Sequence, residues 1–342
     1  MMKPEGSQIE KSLFERSAGL LEALGLCRAS EILEVRPLAG GVASDIAAVR
    51  FGARTVCVKF ALPKLRVAAD WYAPVSRGRS EFNWLLVARA IVPEATPELF
   101  GWSDEHGGFA MEFLSGPDVH VWKAALLAGI SDGREATGVA RVLGSVHRAS
   151  VQAAFDPSPF HNSGDFDALR LEPYLRFTAE RHPDLASDLI EMADALKLAN
   201  KVLVHGDVSP KNILMRDGGP VLLDAECATM GDPCFDVAFC LNHLILKSVH
   251  LPRSRDRLLA AFLKFWEAYS AHVCWEDPSE LETRTARLLP MLLLARVDGK
   301  SPVEYLTRDE QAFVRGLARS LIVQRVDRHA ELVRRISLEA RS

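Results

Sequence analysis

The stretch VLVHGDVSPKNILM, residues 202–215, places a histidine, an aspartate and an asparagine in one short polar segment between two apolar runs. Asp207 lies two residues after His205 and five residues before Asn212. Asp and Asn populate turns because their side chains bond to the local backbone, so a turn that satisfies its own polar groups is one interpretation. The other interpretation is a site that handles a charged ligand.

A second acidic residue favours a site. Asp224 follows Asn212 by twelve positions and ends an apolar run, PVLLDA. Two carboxylates and an amide on neighbouring loops suit a hard cation such as Mg²⁺, which prefers oxygen ligands. An aspartate that does not bind the metal can orient a hydroxyl group and accept its proton. Phosphoryl transfer needs these parts and little covalent chemistry from the protein.

The segments HGDVSPKN, LLDAE and GDPCFDVAF resemble the aminoglycoside phosphotransferase and choline kinase superfamily, and the resemblance spans roughly residues 35–245. Members of this family are small-molecule kinases with a protein-kinase-like fold. The resemblance implies an α+β, two-lobed architecture with a small β-rich N-terminal lobe and a larger, mainly helical C-terminal lobe. It also implies ATP and Mg²⁺ as cofactors and a small molecule with a hydroxyl group as the acceptor.

The same resemblance implies roles for four residues of these segments. Asp207 matches the catalytic base, and Asn212 and Asp224 match the residues that bind Mg²⁺ beside it. Glu226 completes a D-x-E pair, which resembles the choline kinase and methylthioribose kinase branches. Two interpretations of Glu226 stay open, a further metal contact and a strand-end carboxylate that points into solvent.

Two other residues of the segments are expected to support the site. His205 matches the family's histidine that holds the loop from beneath and carries no catalytic proton. Asp236 matches the aspartate that anchors the backbone of the catalytic loop. Since a short polar side chain often caps a helix, Asp236 is also a candidate cap for a helix that begins near Val237.

A lysine within an apolar strand predicts the phosphate contact. In TVCVKFA, Lys59 lies on the face of the strand opposite Val56, Val58 and Phe60. A buried lysine is costly unless it has a partner. The resemblance implies two partners, an ATP phosphate and an acid of the next helix, for which Glu81 is the candidate. A lysine at a sheet edge and a first-turn glutamate favoured by the helix dipole are the alternatives.

Two further segments are expected at the nucleotide. The turn LAGGVASD offers Gly41 for close backbone approach and Ser44 as a phosphate donor, although Gly-Gly turns are also common in hairpins. In FAMEFLSG, the resemblance places Met111 behind the adenine and the backbones of Glu112 and Leu114 at its edge. The alternative is an ordinary buried strand.

Apolar periodicity predicts the elements around these segments. Residues 8–26 are predicted as an amphipathic helix, short strands and a helix with Ser80 at its N-cap follow, and most of the chain after Gly116 is predicted as helical. The predicted domains are a nucleotide-binding lobe, residues 1–113, and a catalytic and acceptor-binding lobe, residues 114–342.

The composition is that of an ordinary globular chain, with 342 residues, 48% hydrophobic and 25% charged. A net charge of −4 gives no bulk attraction to nucleic acid or to an anionic membrane. The longest apolar run, residues 288–295, is far shorter than the roughly 20 residues that span a bilayer. The polar N-terminus, and six cysteines without a C-x-x-C pair, favour a cytoplasmic protein with reduced thiols.

The acceptor is harder to predict. Arg296, Asp298 and Lys300 lie beside a turn and either contact the acceptor or form loop surface. Residues 251–342 show no concentration of acid that would suit a polycation, apart from CWEDPSELE at 274–282, which a solvated helix start explains equally well. The D-x-E pair and the cationic segment at Arg296 and Lys300 favour a sugar, an amino alcohol or a similar metabolite over an antibiotic as acceptor.

Three alternatives remain beside that function. The first is an aminoglycoside phosphotransferase that confers antibiotic resistance, and the second is a catalytically silent nucleotide-binding module. The third, a protein kinase, is disfavoured because H-G-D stands where protein kinases have H-R-D and no A-P-E follows.

Overall fold

The computed structural model describes residues 6–38, 43–64, 66, 74–130, 133–217 and 219–340. The chain divides into two compact units, Met1–Gly116 and Pro117–Ser342. Within the described ranges, no helix combines the length and the apolar character that a membrane span requires.

The N-terminal unit consists of one antiparallel sheet and two helices. Its elements are α1 (Gly6–Ala23), β1 (Ile32–Pro37), β2 (Ser44–Phe51), β3 (Arg54–Ala61), α2 (Arg77–Ile91), β4 (Leu99–Ser103) and β5 (Gly108–Glu112). The strand order is β1-β2-β3-β5-β4, which places β3 at the centre of the sheet. The short strands predicted at TVCVKFA and FAMEFL are therefore present as β3 and β5.

Helix α1 packs against one face of this sheet. The cluster between them is formed by Leu13, Leu20, Leu21, Ala47, Val49, Val56, Val58, Phe60 and Ala110. Alternate residues of β3 belong to this core, so Lys59 lies on the opposite face, as the period of two predicts. Both faces of the central strand are consequently buried.

Helix α1 ends earlier than the predicted helix over 8–26. Gly25 takes a left-handed backbone with φ of 67°, and the N–H of Leu26 donates to the carbonyl of Leu21 at 2.9 Å. This is the usual way in which a glycine terminates a helix, and the sequence carries the signal for it.

The prediction that Ser80 caps α2 is wrong, because the helix begins three residues earlier, at Arg77. The buried guanidinium of Arg77 donates to the carbonyls of Pro74 at 2.8 Å and Leu62 at 2.6 Å, and also to that of Ala43. These bonds fix the first turn of α2 to the ends of β2 and β3. Ser80 is consequently a buried residue within the helix.

The C-terminal unit is mainly helical with two small sheets. Its first elements are β6 (His120–Val121), α3 (Trp122–Leu127), α4 (Arg134–Ser150), α5 (Ser163–Phe166), a π-helix (Asp167–Arg176), α6 (Phe177–Arg181) and α7 (Ala186–Leu198). The strands that follow are β7 (Val202–Val204), β8 (Ile213–Arg216), β9 (Gly219–Leu222) and β10 (Thr229–Gly231). The last elements are α8 (Pro233–His250), α9 (Arg255–Ser270), α10 (Pro278–Asp298), α11 (Arg308–Gln324) and α12 (His329–Glu339).

The strands of this unit position the polar loop that follows β7. β7 pairs with β10, and a separate sheet has the order β6-β8-β9. β7 and β8 thus bracket the segment that carries His205, Asp207 and Asn212. The residues after β9 lead to Asp224.

Helix α8 is buried along almost its whole length, from Pro233 to Val249. It packs against α9 and α10, which explains an apolar sequence on all its faces. Its N-cap is Asp232, whose carboxylate accepts from the N–H of Cys234 at 2.9 Å. The prediction that Asp236 caps this helix is therefore wrong, since the helix has already begun and Asp236 lies in its first turn.

Candidate active site

The loop after β7 is anchored by the first turn of α8. The carboxylate of Asp236 accepts from the N–H of His205 at 2.6 Å and from the N–H of Gly206 at 2.8 Å. Asp236 is fully buried, and one of its oxygens also lies 3.3 Å from Nε2 of His147. A buried carboxylate with several donors is strongly held, so the position of the loop backbone is fixed.

His205 supports the loop from inside. Its Nδ1 accepts from the N–H of Asp207 at 3.2 Å. Burial lowers the pKa of His205 below its ordinary value, against the opposing effects of Asp236 and Asp207. The imidazole is therefore neutral, and its role is to hold the backbone of the following residue.

Gly206 is the one loop position where a side chain does not fit. Its φ is +78°, a conformation that L side chains rarely adopt. An added Cβ would lie 2.7 Å from Cβ of Cys227 and 2.8 Å from its carbonyl oxygen. The glycine of the H-G-D motif is thus required by backbone conformation and by space.

Asp207 is buried and is held in its ionised form. Nη2 of Arg170, on the π-helix, lies 2.9 Å from Oδ2 of Asp207, and Nζ of Lys211 lies 3.6 Å from the same oxygen. Burial by itself would raise the pKa of Asp207, but Arg170 and Lys211 outweigh it and lower that pKa. An ionised carboxylate can accept a hydrogen bond from a hydroxyl group and take its proton as that hydroxyl reacts.

Arg170 and Lys211 are residues that sequence reasoning missed. Lys211 stands inside the quoted motif, so a basic residue next to Asn212 was a usable signal. Arg170 has no local signal, because it approaches from a π-helix far away in the sequence. Its Nε also donates to the carbonyl of Gly206, so its guanidinium joins the backbone and the carboxylate of the loop.

Asn212 is bound to both neighbouring segments. Its side-chain Nδ2 donates to the carbonyl of Asp207 at 3.2 Å, and its own carbonyl accepts from the N–H of Leu223 at 2.9 Å. Because Nδ2 is engaged with the Asp207 carbonyl, Oδ1 is the side-chain atom of Asn212 that could bind a cation. The two bonds also fix the residue immediately before Asp224 against the loop.

Asp224 and Glu226 follow β9 in an unusual backbone. Asp224 has φ of 70° and is one of two residues other than glycine with a positive φ in the described ranges. Strain of this kind persists where surrounding structure enforces it and clusters at functional sites. Glu226 is only 4% exposed, which removes the interpretation that its carboxylate points into solvent. Carboxylates and an amide oxygen form a ligand set that fits Mg²⁺.

In the N-terminal unit, Lys59 forms the ion pair that the sequence predicts. Its Nζ lies 2.6 Å from the Glu81 carboxylate, and both side chains are almost fully buried. The sheet-edge alternative for Lys59 is therefore excluded, and Glu81 lies beyond the first turn of α2, which begins at Arg77. A buried lysine held by a glutamate is a cation of fixed position.

The other predicted nucleotide residues are placed as follows. Ser44 is the buried first residue of β2, and Gly41 lies outside the described residues. Met111 is buried in β5. The N–H of Glu112 already donates to the carbonyl of Glu98 at 2.7 Å, so that donor is engaged within the sheet. Leu114 lies in the segment that follows β5.

A cavity of about 160 Å³ opens beside Asp207 in the C-terminal unit. Its lining is rich in cations: Lys123, Lys211, Lys247 and Arg296. Asp207 and Glu304 are the two carboxylates among the lining residues. Tyr174, Ser209, His243 and Tyr305 add polar groups. The cavity is therefore small and bears an excess of positive charge next to the carboxylate that can take a proton.

Of the three residues predicted at the acceptor, the structure places Arg296 in the lining of this cavity. Asp298 is bound by Arg315 through two bonds of 2.7 Å and by His182 at 2.9 Å. Lys300 is paired with Glu172 at 2.6 Å. Neither of the latter two is among the lining residues.

Lys247 is the residue of the cavity that sequence reasoning most clearly overlooked. It is the one Lys or Arg in the apolar run VAFCLNHLILKSV, and a charge inside a helix that is apolar on all faces is a signal. In the structure it is fully buried on α8, one turn after His243.

Comparison with known proteins agrees with this geometry. The profile of the family described as "Phosphotransferase enzyme family" matches residues 34–273. A methylthioribose kinase of Klebsiella pneumoniae (strain 342) is 25% identical over 284 residues, which cover 75% of this chain and 71% of that protein. The methylthioribose kinase of Yersinia enterocolitica serotype O:8 / biotype 1B is 26% identical over 258 residues, covering 66% and 62%.

Two solved structures share the fold at low sequence identity. Amicoumacin kinase hAmiN, in complex with AMP-PNP, Ca²⁺ and Ami, superimposes with a TM-score of 0.54 at 14% identity, covering 95% of this chain and 99% of that one. An ethanolamine kinase of Plasmodium vivax gives a TM-score of 0.53 at 11% identity, covering 97% and 89%. The predicted protein-kinase-like fold is thereby confirmed. The chain belongs to the phosphotransferase enzyme family and is an ATP-using small-molecule kinase with a hydroxyl acceptor.

Proposed function

We propose that the chain transfers the γ-phosphoryl group of Mg²⁺-ATP to a hydroxyl of a compact, sugar-like metabolite that is not a polycation. The observation that carries the proposal is the small cavity beside Asp207, whose described lining residues include four Lys or Arg and one carboxylate besides Asp207. A site of this charge repels an oligocationic acceptor and tolerates a neutral or an anionic one.

Asp207 is the proposed base. The acceptor hydroxyl donates to its carboxylate, and as the oxygen attacks the γ-phosphorus the proton passes to Asp207. The new oxygen–phosphorus bond replaces the bond between the γ-phosphorus and the β,γ-bridging oxygen, and ADP leaves. Because the transition state of phosphoryl transfer is loose, orientation of the hydroxyl matters more than strong basicity. The pairing of Asp207 with Arg170, at 2.9 Å, suits such an orienting carboxylate.

Asn212, Asp224 and Glu226 are the residues proposed to hold Mg²⁺, which neutralises charge on the phosphates when it is bound. The fixed backbone of Asn212 and the enforced positive φ of Asp224 support the assignment. Lys59, held by Glu81, is the proposed phosphate contact in the nucleotide-binding lobe, residues 1–113. Ser44, Met111 and Leu114 are the proposed nucleotide residues beside it, and Glu112 would contribute through its carbonyl.

The curated relatives suggest the kind of hydroxyl compound. Those of Klebsiella and Yersinia are methylthioribose kinases by name, and this chain spans 71% and 62% of their lengths. A furanose of the size of methylthioribose is compatible with a cavity of about 160 Å³. We therefore propose a sugar or a similar polyol as acceptor, and an aminoglycoside is disfavoured by the charge of the lining.

Acceptor-dependent ADP release with Mg²⁺-ATP tests the proposal. The panel holds methylthioribose, other pentoses, short polyols, homoserine, choline, ethanolamine and several aminoglycosides, with a reaction that lacks acceptor as the blank. We expect a sugar or polyol to raise ADP release at least tenfold above the blank and the aminoglycosides to leave it unchanged. Stimulation by aminoglycosides alone would overturn the proposed acceptor class.

A further inference from the structure

Three buried donors of residues that line the cavity have no hydrogen-bond partner among the described residues. They are Nζ of Lys247, Nε of Arg296 and the hydroxyl of Tyr305. Buried polar groups are almost always satisfied, so three unsatisfied donors on one small cavity need an explanation. Lys247 is fully buried as a residue, so bulk water does not solvate its ammonium group.

The three donors lie close together. Nζ of Lys247 is 5.0 Å from the centre of the Tyr305 ring. Arg296 exerts an electrostatic effect on both of them. All three residues line the same cavity as Asp207. The three residues thus line one cavity and come from two regions of the chain, α8 and the segment from the end of α10 to Tyr305.

The charges of the lining do not cancel. Lys123 pairs with Glu304, and Lys211 pairs with Asp207. Among the described residues, Nη1 of Arg296 donates to neutral oxygens, the hydroxyl of Tyr174 at 3.1 Å and the carbonyl and hydroxyl of Ser301. Within the described part of the chain, no carboxylate forms an ion pair with Lys247 or Arg296. In that part of the chain, neither Lys247 nor Arg296 is therefore compensated by a carboxylate.

We propose that the acceptor carries an anionic group, a carboxylate or a phosphate ester, which binds Lys247, Arg296 and Tyr305 while its hydroxyl lies at Asp207. This inference rests on the proposed function, because it names the acceptor class of the same site. The three donors match what a carboxylate or phosphate accepts. An uncompensated buried cation is costly, and an incoming anion removes that cost.

The electrostatics of Lys247 agree with a missing anion. Its pKa is lowered from 10.5 to about 7, first by burial and then by Lys123 and Arg296, which outweigh Glu304 and Cys240. His243, one turn earlier, stays neutral because burial and the surrounding cations hold its pKa well below its ordinary value. An anion seated between these cations favours the protonated lysine.

Matched pairs of charged and neutral compounds test the inference on the full chain by titration calorimetry at pH 7 and constant ionic strength. The carboxylate arm compares glycerate with glycerol and gluconate with glucitol. The phosphate arm compares glycerol 3-phosphate with glycerol and ribose 5-phosphate with ribose. In at least one arm we expect the charged member to bind the parent protein at least tenfold more tightly than its neutral counterpart. The arm in which this occurs identifies the anion.

The variants Lys247→Met and Tyr305→Phe report whether the preference arises at these donors. Lys247→Met is expected to reduce the charged-to-neutral preference at least tenfold, and Tyr305→Phe to reduce it severalfold. Lys264→Met is the matched control, since Lys264 is exposed on α9, and it should keep the preference of the parent. Because Lys247→Met removes an unpaired buried cation, we expect the unliganded variant to unfold at a higher temperature than the parent.

Two results would overturn the inference. One is a parent protein that binds no charged compound more tightly than its neutral partner. The other is a preference that is the same in Lys247→Met as in the parent. With either result, the proposed kinase function still holds if a neutral sugar stimulates ADP release. Failure of the anionic-acceptor inference can therefore be distinguished from failure of the proposed function.

Discussion

At the scale of single residues, the proposed chemistry depends on the carboxylate of Asp207 and the groups that hold it. The sequence predicted Asp207, Asn212 and Asp224 because their spacing is local and is carried by one loop and one strand end. It could not predict Arg170, whose contact with Asp207 is made by folding of a distant π-helix. Lys247 was visible as a charge in an apolar helix, but the space it faces is decided by tertiary packing.

Replacement of Arg170 by methionine is expected to lower kcat about 10- to 100-fold and to leave the KM for ATP within about threefold of the parent. The guanidinium joins Oδ2 of Asp207 to the carbonyl of Gly206, so its loss frees the carboxylate to leave its orientation. Steady-state kinetics with the acceptor at saturation measure the effect.

Arg170→Lys is the control that keeps a positive charge but lacks the two-pronged donor geometry of the guanidinium. It keeps a cation but loses the second donor, so an intermediate kcat is expected. An unchanged kcat in Arg170→Met, at an unchanged melting temperature, would show that Arg170 does not position Asp207.

Binding of an anionic compound should weaken as pH rises above about 7. The folded pKa of Lys247 is depressed to about 7, so above that pH the lysine must take up a proton before it can pair with the anion. The dissociation constant of the carboxylate or phosphate compound is expected to rise up to tenfold for each pH unit between 7 and 9. Below pH 7 the protonation of Lys247 should no longer change that constant.

Calorimetry from pH 6 to pH 9, in two buffers of different ionisation enthalpy, measures both the affinity and the proton uptake. The other groups that face Lys247 do not produce this profile. Lys123 is paired with Glu304 and His243 stays neutral, while burial raises the pKa of Cys240 and Tyr305. A profile that Lys247→Met shares with the parent would contradict the assignment to Lys247.

At the scale of elements, the strands were easier to predict than the starts of helices. Alternation with a period of two predicts β3 and the opposite placement of Lys59 and the core residues, because that pattern is local. The start of α2 depends on Arg77, whose donors reach carbonyls at the ends of β2 and β3. Such contacts have no local signal in the sequence. Ser80 was therefore predicted as the cap only because serine is a common N-cap residue.

The loop between β7 and β8 is the element whose shape the site needs most. Gly206→Ala is expected to destabilise the fold by about 1–3 kcal/mol and to lower kcat, because the added Cβ meets Cys227 at 2.7 Å and the backbone is left-handed. Chemical denaturation and kinetics of the same preparation measure both effects.

Gly316→Ala is the matched control for the glycine substitution. Gly316 lies within α11, and an added Cβ there meets nothing within 4 Å. It should stabilise the fold by about 0.5–1 kcal/mol, as alanine does within a helix, and leave kcat unchanged. Equal behaviour of the two variants would mean that Gly206 has no special role.

At the scale of the whole molecule, the fold class was predictable because a specific loop motif identifies a family, and the family fixes the fold. The acceptor was not predictable to the same extent. Arg296 lines the cavity, whereas Asp298 and Lys300 are engaged with other residues, although all three come from one short segment. Which side of a turn faces a cavity is set by long-range pairs such as Asp298 with Arg315, and these leave no periodic pattern.

The most direct test of the proposed mechanism compares the parent chain with Asp207→Asn in two measurements on the same samples. The amide has the size of the carboxylate but cannot take the proton of the acceptor hydroxyl. We predict that the variant binds Mg²⁺-ATP within about threefold of the parent, while acceptor-dependent ADP release falls by about three decades. Near-parental ADP release in Asp207→Asn would contradict the central claim that Asp207 is the base of this kinase.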